Sequence, residues 1–424
     1  LPLMLSGMLQ LMFNAVDIVV VGRFSGSQSL AAVGATTALI YLFTNLFIGI
    51  SLGANVLAAR YYAAGKHEEM SETVHTAMMF ALISGIIMIF VGLFFSRLAL
   101  EIMGTPSDVI DQATLYMRIY FLGMPFFMLY NYGAAILRAV GDTKRPLIFL
   151  IISGVVNACL NMLLVIVFHL DVAGVAIATV TSQFISCVLV IGCLYRTKSS
   201  YQLRFSRLKI RKEYLKPICQ VGIPAGIQST VINFSNALLQ SSVNSFGSTT
   251  MAGYTAANNI FGFLYVSVNA ITQACMSFTS QNYGLRKLKR MDKILMDCLI
   301  LTVVVSLVLG GGVYLFGAEI LRLYTEEAEV IRCGIEIFAY TTVTYFLCGI
   351  MDLFPGALRG MDRSTVPMIL SVIGTVGTRI VWVFWLFPAH RSLAFLFISY
   401  PASWLITIAM QVICFYLVRR KVHG

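Results

Sequence analysis

Stretches of about 18 or more apolar residues recur along the whole chain, and a helix rising 1.5 Å per residue needs only about 20 of them to cross a hydrocarbon layer of roughly 30 Å. Twelve such stretches stand out, over residues 1–22, 32–58, 72–96, 112–137, 146–168, 173–195, 217–244, 252–280, 294–316, 332–358, 366–387 and 393–418. They predict an all-α integral membrane protein of twelve transmembrane helices. Composition supports this class: 58% of residues are apolar and 12% charged, too little polar surface to cover a soluble core of this size. A chain opening on Leu1 is expected to begin inside its first helix, with a short leader missing. Nine scattered cysteines show no CxxC pair and no Cys/His ligand spacing, so neither a disulfide framework nor a metal site is expected of them.

The net charge is +11, and where the charge falls carries the information. Taking the loops alternately, those after helices 2, 4, 6, 8 and 10 plus the tail hold about 23 Lys and Arg, and the other loops about four. By the positive-inside rule both termini are expected in the cytoplasm, as in a multi-pass protein of the cell's inner (plasma) membrane. Residues 196–216 carry eight basic side chains between a lobe at 1–195 and a lobe at 217–424. No groove-reading motif accompanies them, so they are expected to form a solvated linker that meets anionic lipid headgroups, not a nucleic-acid site.

An internal repeat fixes the architecture. LRAVGDTKRP at 137–146 answers LRGMDRSTVP at 358–367, and ARYYAAGKHEEM at 59–70 answers SQNYGLRKLKRM at 280–291, a period of about 221 residues; Pro2 answers Pro224. A six-helix unit returns the chain to the side it left, so the halves are expected to be parallel repeats about a pseudo-twofold axis along the membrane normal, enclosing a central cavity. Rocking of one lobe against the other is then the expected route to alternating access.

The chain resembles the multidrug and toxic compound extrusion (MATE) family, in its DinF-like bacterial branch, over essentially its whole length. PLMLSGMLQLMFNAVDIVVVGRFSG at 2–26 is similar to the family's first helix, with its bend-forming proline (here Pro2), a glutamine, and an aspartate before a glycine-ended turn. NACLNMLLVIVFHLDVAGVAIAT at 157–179 resembles the fifth and sixth helices, and the turns at Arg138 and Arg359 resemble the repeated cytoplasmic signature. The resemblance implies an antiporter and not an enzyme, in which sodium or protons enter as an organic compound, cationic or amphipathic, leaves. The expected partners are a small-molecule substrate, a coupling cation and the lipid bilayer, with no cofactor and no nucleic acid, and the protein is expected to be a monomer.

Ionisable residues inside spans mark function, because a carboxylate at a helix centre costs roughly 2.5–3.5 kcal/mol on insertion scales. Asp17 lies inside the apolar run AVDIVVVG. Counted from the helix ends, Asp17, Asn157, Asn161 and Thr179 share a depth of roughly 9–16 Å and can converge in the N-terminal lobe. The spacing allows a cation site, with a possible sodium ion at Asp17. Alternatives remain open: a buried acid neutralised by hydrogen bonds at Asp17, and interhelical hydrogen bonding by the other three. In the resemblance these positions match the N-lobe polar cluster, except that Asn161 stands where many members carry a second aspartate.

In the second lobe Leu239 answers Asp17, so the halves differ chemically. Gln228, Asn233, Asn236 and Gln240 on helix 7 are expected to line the substrate cavity, against a reading as interhelical contacts. Asp352 on helix 10 reads either as a second ionic or substrate group or as an interfacial anchor near Arg359. Arg379 on helix 11 is expected to satisfy helix-end carbonyls or an acid of a neighbouring helix. Prolines 125, 355 and 401 mark expected bending points. Three rival classes fit less well. A flippase for a lipid-linked saccharide is expected to carry more helices and a strongly charged cavity, an intramembrane enzyme would need a motif such as HExxH or GxSxG, and a channel would need a filter-like loop.

Overall fold

The computed structural model describes residues 1–322 and 325–423 and contains, among them, helices but no strands. The chain divides into two compact units, Leu1–Gly226 and from Ile227 onward. In the first, α1 is Pro2–Phe24, α2 Gly26–Ala63 and α3 His67–Ile102. Helix α4 is a pair, Ile110–Leu122 and Met124–Ala139, meeting at 48°. Helix α5 is Lys144–Asn161, prolonged by a π-helical Met162–Val167, and α6 is Asp171–Arg196. Helix α7, Lys212–Asn244, runs from the first unit into the second, which adds α8 (Ser248–Gly284), α9 (Leu288–Leu315) and the pair α10 (Ala328–Thr341 and Tyr345–Gly360, meeting at 50°). Helix α11, Thr365–Ala389, contains two π-helical segments, and α12 is Leu393–His423.

Each of the twelve apolar stretches thus becomes a helix or a bent pair. Nine of the described helices are individually long and apolar enough to span a bilayer, and the two pairs bring the number to eleven. The twelfth, α7, is 33 residues long and falls short on polarity alone, because Gln220, Gln228, Asn233, Asn236 and Gln240 interrupt it. Several helices outrun their apolar stretches: α3 starts at His67 and ends at Ile102 because its polar ends stay helical outside the apolar zone. Of the expected bending points only Pro125 stands at a bend, just after the break at Gly123. Pro355 lies about ten residues past the break of α10, and Pro401 inside a continuous helix, so neither marks a sharp bend. Pro2 occupies the first turn of α1, where a missing N–H costs no helical hydrogen bond.

Lipid tails are as apolar as leucine, so these helices gain little from hydrophobic transfer and must be held by close packing. Phe94, Val308, Leu315 and Trp385 are accordingly exposed, while the first unit's core is filled by Met78, Met117, Met128, Phe121 and Tyr132. Helices α2 and α7 approach closely. A Cβ at Gly49 or Gly53 would collide with the backbone of Gly226 or Ile218, and one at Gly222 or Gly226 with that of Ile50 or Leu46. Two facing Gly-x-x-x-Gly steps therefore bring the backbones together and fasten the first half of α7 to the first unit.

Four turns at the repeat positions share one geometry, which the end of α3 at Gly104 also shows. After α2 and α4 the residues Gly65 and Gly141 take positive φ, and after α8 and α10 so do Arg286 and Asp362, at +55° and +62°. In each the positive-φ N–H returns to the carbonyl three residues back and the next N–H to the carbonyl five back, as in Lys66 to Tyr61 and Lys287 to Asn282. This double-bonded helix ending is the structural counterpart of the sequence repeat.

The basic linker is docked, and not simply solvated. His75, buried on α3, holds its Nδ1 2.6 Å from the Ser71 carbonyl while its Nε2 accepts the Arg204 N–H at 3.0 Å. That pairing requires the neutral tautomer with the proton on Nδ1. Arg211 pairs with Glu72 at 2.5 Å, its N–H donates to the Thr76 hydroxyl, and Leu203 is buried in the core.

Candidate functional site

Helix α1 presents few polar groups inward, and Asp17 is the one that is charged and buried, beside Val20 and Val21. The structure brings all four predicted residues of the first unit together. Asn161 Nδ2 donates to Asp17 Oδ1 and, at 3.2 Å, to Asn157 Oδ1 one turn back on α5. The Thr179 hydroxyl on α6 stands 3.5 Å from Asp17 Oδ2, but its better acceptor is the Val175 carbonyl of its own helix at 2.9 Å. Asn161 is the last α-helical residue before the π-helical Met162–Val167, a widened turn of the kind that often marks function.

Two features distinguish this cluster from a satisfied polar core. Among the described residues no Lys, Arg or His forms an ion pair with Asp17, so its carboxylate has only neutral donors. Asn161 Oδ1 is buried and accepts no hydrogen bond. A buried oxygen without a donor, next to a carboxylate without a cation, is an arrangement of hard oxygen ligands that suits a small cation or a proton.

In the second unit the polar residues of α7 divide into paired and exposed side chains. Gln228 is buried and accepts from Arg359 Nη2 at 2.6 Å; Asn236 is half-buried and accepts from Arg379 Nη1 at 2.7 Å. Asn233 and Gln240 are exposed. Asp352 is half-buried on α10, two turns before Arg359 and within its electrostatic reach. Leu239 is buried in the apolar core, so nothing acidic occupies the place answering Asp17. Among the described residues Arg379 finds neither a helix-end carbonyl nor an acid. Its partners are the Asn236 amide oxygen, the Ser235 hydroxyl at 3.5 Å and the Tyr400 ring at 4.5 Å from its centroid.

Sequence reasoning missed three arrangements. The facing glycine pairs were visible as spacings at 49/53 and 222/226, and the buried His75 as a lone ionisable group, but neither spacing names its partner. The π-helical segments carry no composition that distinguishes them from ordinary apolar helix.

Comparison with known proteins gives concordant results. The MatE family model matches residues 2–163 and again residues 224–385, so the two matches begin at Pro2 and Pro224. The probable multidrug resistance protein YoeA of Bacillus subtilis (strain 168) is 28% identical over 420 residues, covering 96% of this chain and 90% of that protein. The multidrug export protein MepA of Staphylococcus aureus is 22% identical over 88% of this chain and 82% of its own length. Among solved structures, an outward-facing MATE transporter of the MOP superfamily superposes with a TM-score of 0.90 at 20% identity, covering 100% of this chain and 94% of that one. A variant of the Vibrio cholerae MATE transporter VcmN gives 0.92 at 18% identity, covering 99% and 95%. These structures share the fold.

Proposed function

The chain belongs to the MatE family, and from that premise we propose that it is a multidrug transporter working as a cation-coupled antiporter, exporting cationic or amphipathic organic compounds as protons or sodium ions enter. It sits in the plasma membrane as a monomer with both termini in the cytoplasm. The observation that carries the coupling role is the enclosure of Asp17 among neutral donors, beside the orphaned Asn161 oxygen. An unpaired carboxylate in an apolar surround is unfavourable, and binding a proton or a hard cation relieves it. Occupancy that differs between two conformations then shifts their populations, by no more than the difference in affinity. The relatives named as multidrug export proteins support the substrate class.

The test uses purified protein in liposomes loaded with an amphipathic cationic dye. Dye should leave against its gradient when either a proton or a sodium gradient is imposed alone, and the driving ion should flow inward in step with it. Dye movement that no ion gradient accelerates would remove the antiport reading.

A further inference from the structure

Arg379 is the most enclosed charge among the described residues of the second unit, only 3% exposed. It lies on a four-residue α-helical step, Thr378–Val381, between the π-helical segments Val372–Gly377 and Trp382–Leu386. Its two hydrogen bonds, to Asn236 and Ser235, both leave from Nη1, and the Tyr400 ring covers one face of the guanidinium. Nε is buried with no acceptor, and Nη2 makes no hydrogen bond to any described residue. No carboxylate among the described residues stands within ion-pair distance. A guanidinium does not shed its proton, so the charge persists in an apolar setting, where it is costly without an anion.

The unpaired edge has a definite chemistry. Nε–H and Nη2–H point in parallel and match the two oxygens of a carboxylate, which a single point charge such as an ammonium does not do. The first unit offers the converse arrangement. There a buried acid on α1 meets an amide of α5 at the start of a π-helical segment; here an amide oxygen of α7 meets a buried base on α11 just after one ends. The same pair of helices in each repeat thus carries opposite charge.

We propose that the Nε–Nη2 edge of Arg379 binds the carboxylate of an organic acid or zwitterion, so that compounds bearing a free carboxylate belong to the transported set. This rests on the transport reading above and extends its substrate class. The π-helical segments on either side are of the kind often found at functional sites.

The experiment compares a rhodamine dye bearing a free benzoate with the methyl ester of the same dye, by fluorescence polarisation on the full chain in nanodiscs. Wild type should bind the acid about tenfold more tightly than the ester, a difference of about 1.4 kcal/mol. Arg379→Gln should bring that ratio to about one, and Arg379→Lys, which keeps charge but loses the fork, should reduce it several-fold. Equal binding of acid and ester by wild type, as when a chloride ion alone occupies the edge, overturns the proposal, and so does an undiminished ratio in Arg379→Gln. If Arg379→Gln does not fold, an undiminished ratio in Arg379→Lys overturns it instead. In the liposome assay above, export of the ester beside equal nanodisc binding of acid and ester defeats this proposal and leaves antiport standing; export of neither dye under any gradient defeats both.

Discussion

Asn161 donates its amide N–H to the carboxylate of Asp17 while its own Oδ1, buried in the same cluster, accepts nothing. The pair is therefore half-satisfied: it steadies the carboxylate and leaves an oxygen vacant beside it. If the driving ion binds there, Asp17→Asn should remove coupling without removing the substrate site. The variant should support exchange of dye across the membrane at equilibrium and lose most gradient-driven export. Asn161→Ala removes one donor and one acceptor of a neutral group, and a smaller loss of roughly 1–3 kcal/mol in ion affinity is expected from the hydrogen bond alone. Counterflow and gradient-driven efflux measured on the same preparations separate these cases, and full gradient-driven export by Asp17→Asn would move the search to Asp352.

Gly53 packs directly on the carbonyl of Ile218, so even one methyl group must push α2 and α7 apart. Overpacking of this kind typically costs 1–3 kcal/mol, and a rigid backbone neighbour puts it at the upper end. Gly53→Ala should lower the melting temperature in detergent by several degrees. Gly192, near the C-terminal end of α6 with nothing near its missing Cβ, is the control. Gly192→Ala should be neutral or stabilising by up to about 1 kcal/mol, because alanine is the better helix former. Equal effects at the two sites would mean that the glycine contact does not hold the helices.

What was legible in the sequence follows from where its physics is local. Bilayer thickness sets helix length, so the apolar runs marked the spans, α7 included despite its glutamines. Asp17, Asn161 and Thr179 could be brought together because depth along a helix is counted in residues. The partners of a polar stripe are not counted so easily: Gln228 and Asn236 pair with Arg359 and Arg379, while Asn233 and Gln240 are exposed. The Arg379 partners were unreadable for a different reason. An isolated arginine suggests an acid, and only the tertiary structure shows an amide, a hydroxyl and an aromatic ring in its place.

The linker contacts predict protection. Trypsin sites at Arg204, Arg207, Lys209 and Arg211 lie on the segment held by His75, Thr76 and Glu72. Native protein should be cut there slowly, and His75→Ala with Glu72→Gln should speed cleavage several-fold, since each lost partner leaves a polar group of the segment unpaired. Mass mapping of early fragments reads the result directly. Rapid cutting of the native chain between 204 and 211 would show the linker to be undocked.

Sidedness follows from the charge asymmetry of the loops. In intact cells, single cysteines placed at Ser107 or Ser248 of an otherwise cysteine-free chain should react with an impermeant maleimide added outside. Cysteines at Thr197, Arg286 or Arg363 should react only after the membrane is opened. External labelling of the second group would reverse the topology.

Arg286 carries a left-handed backbone at the turn where its counterpart in the first unit, Gly65, carries the same conformation as glycine. An L-residue there bears roughly 1–2 kcal/mol of steric cost, because Cβ approaches the following carbonyl. Glycine removes that cost and adds about 0.5–1 kcal/mol of unfolded-state entropy to be lost on folding, so the net change should favour Arg286→Gly by a few tenths to about 1 kcal/mol. The backbone bonds that close the turn, Arg286 N–H to Tyr283 and Lys287 N–H to Asn282, use no side chain and should persist. Arg286→Ala separates backbone from charge: it loses the same guanidinium but keeps the Cβ, so it should show no gain. Thermal unfolding of the three proteins in one detergent decides the matter, and a melting temperature for Arg286→Gly at or below that of Arg286→Ala would show that this turn bears no strain at its left-handed residue.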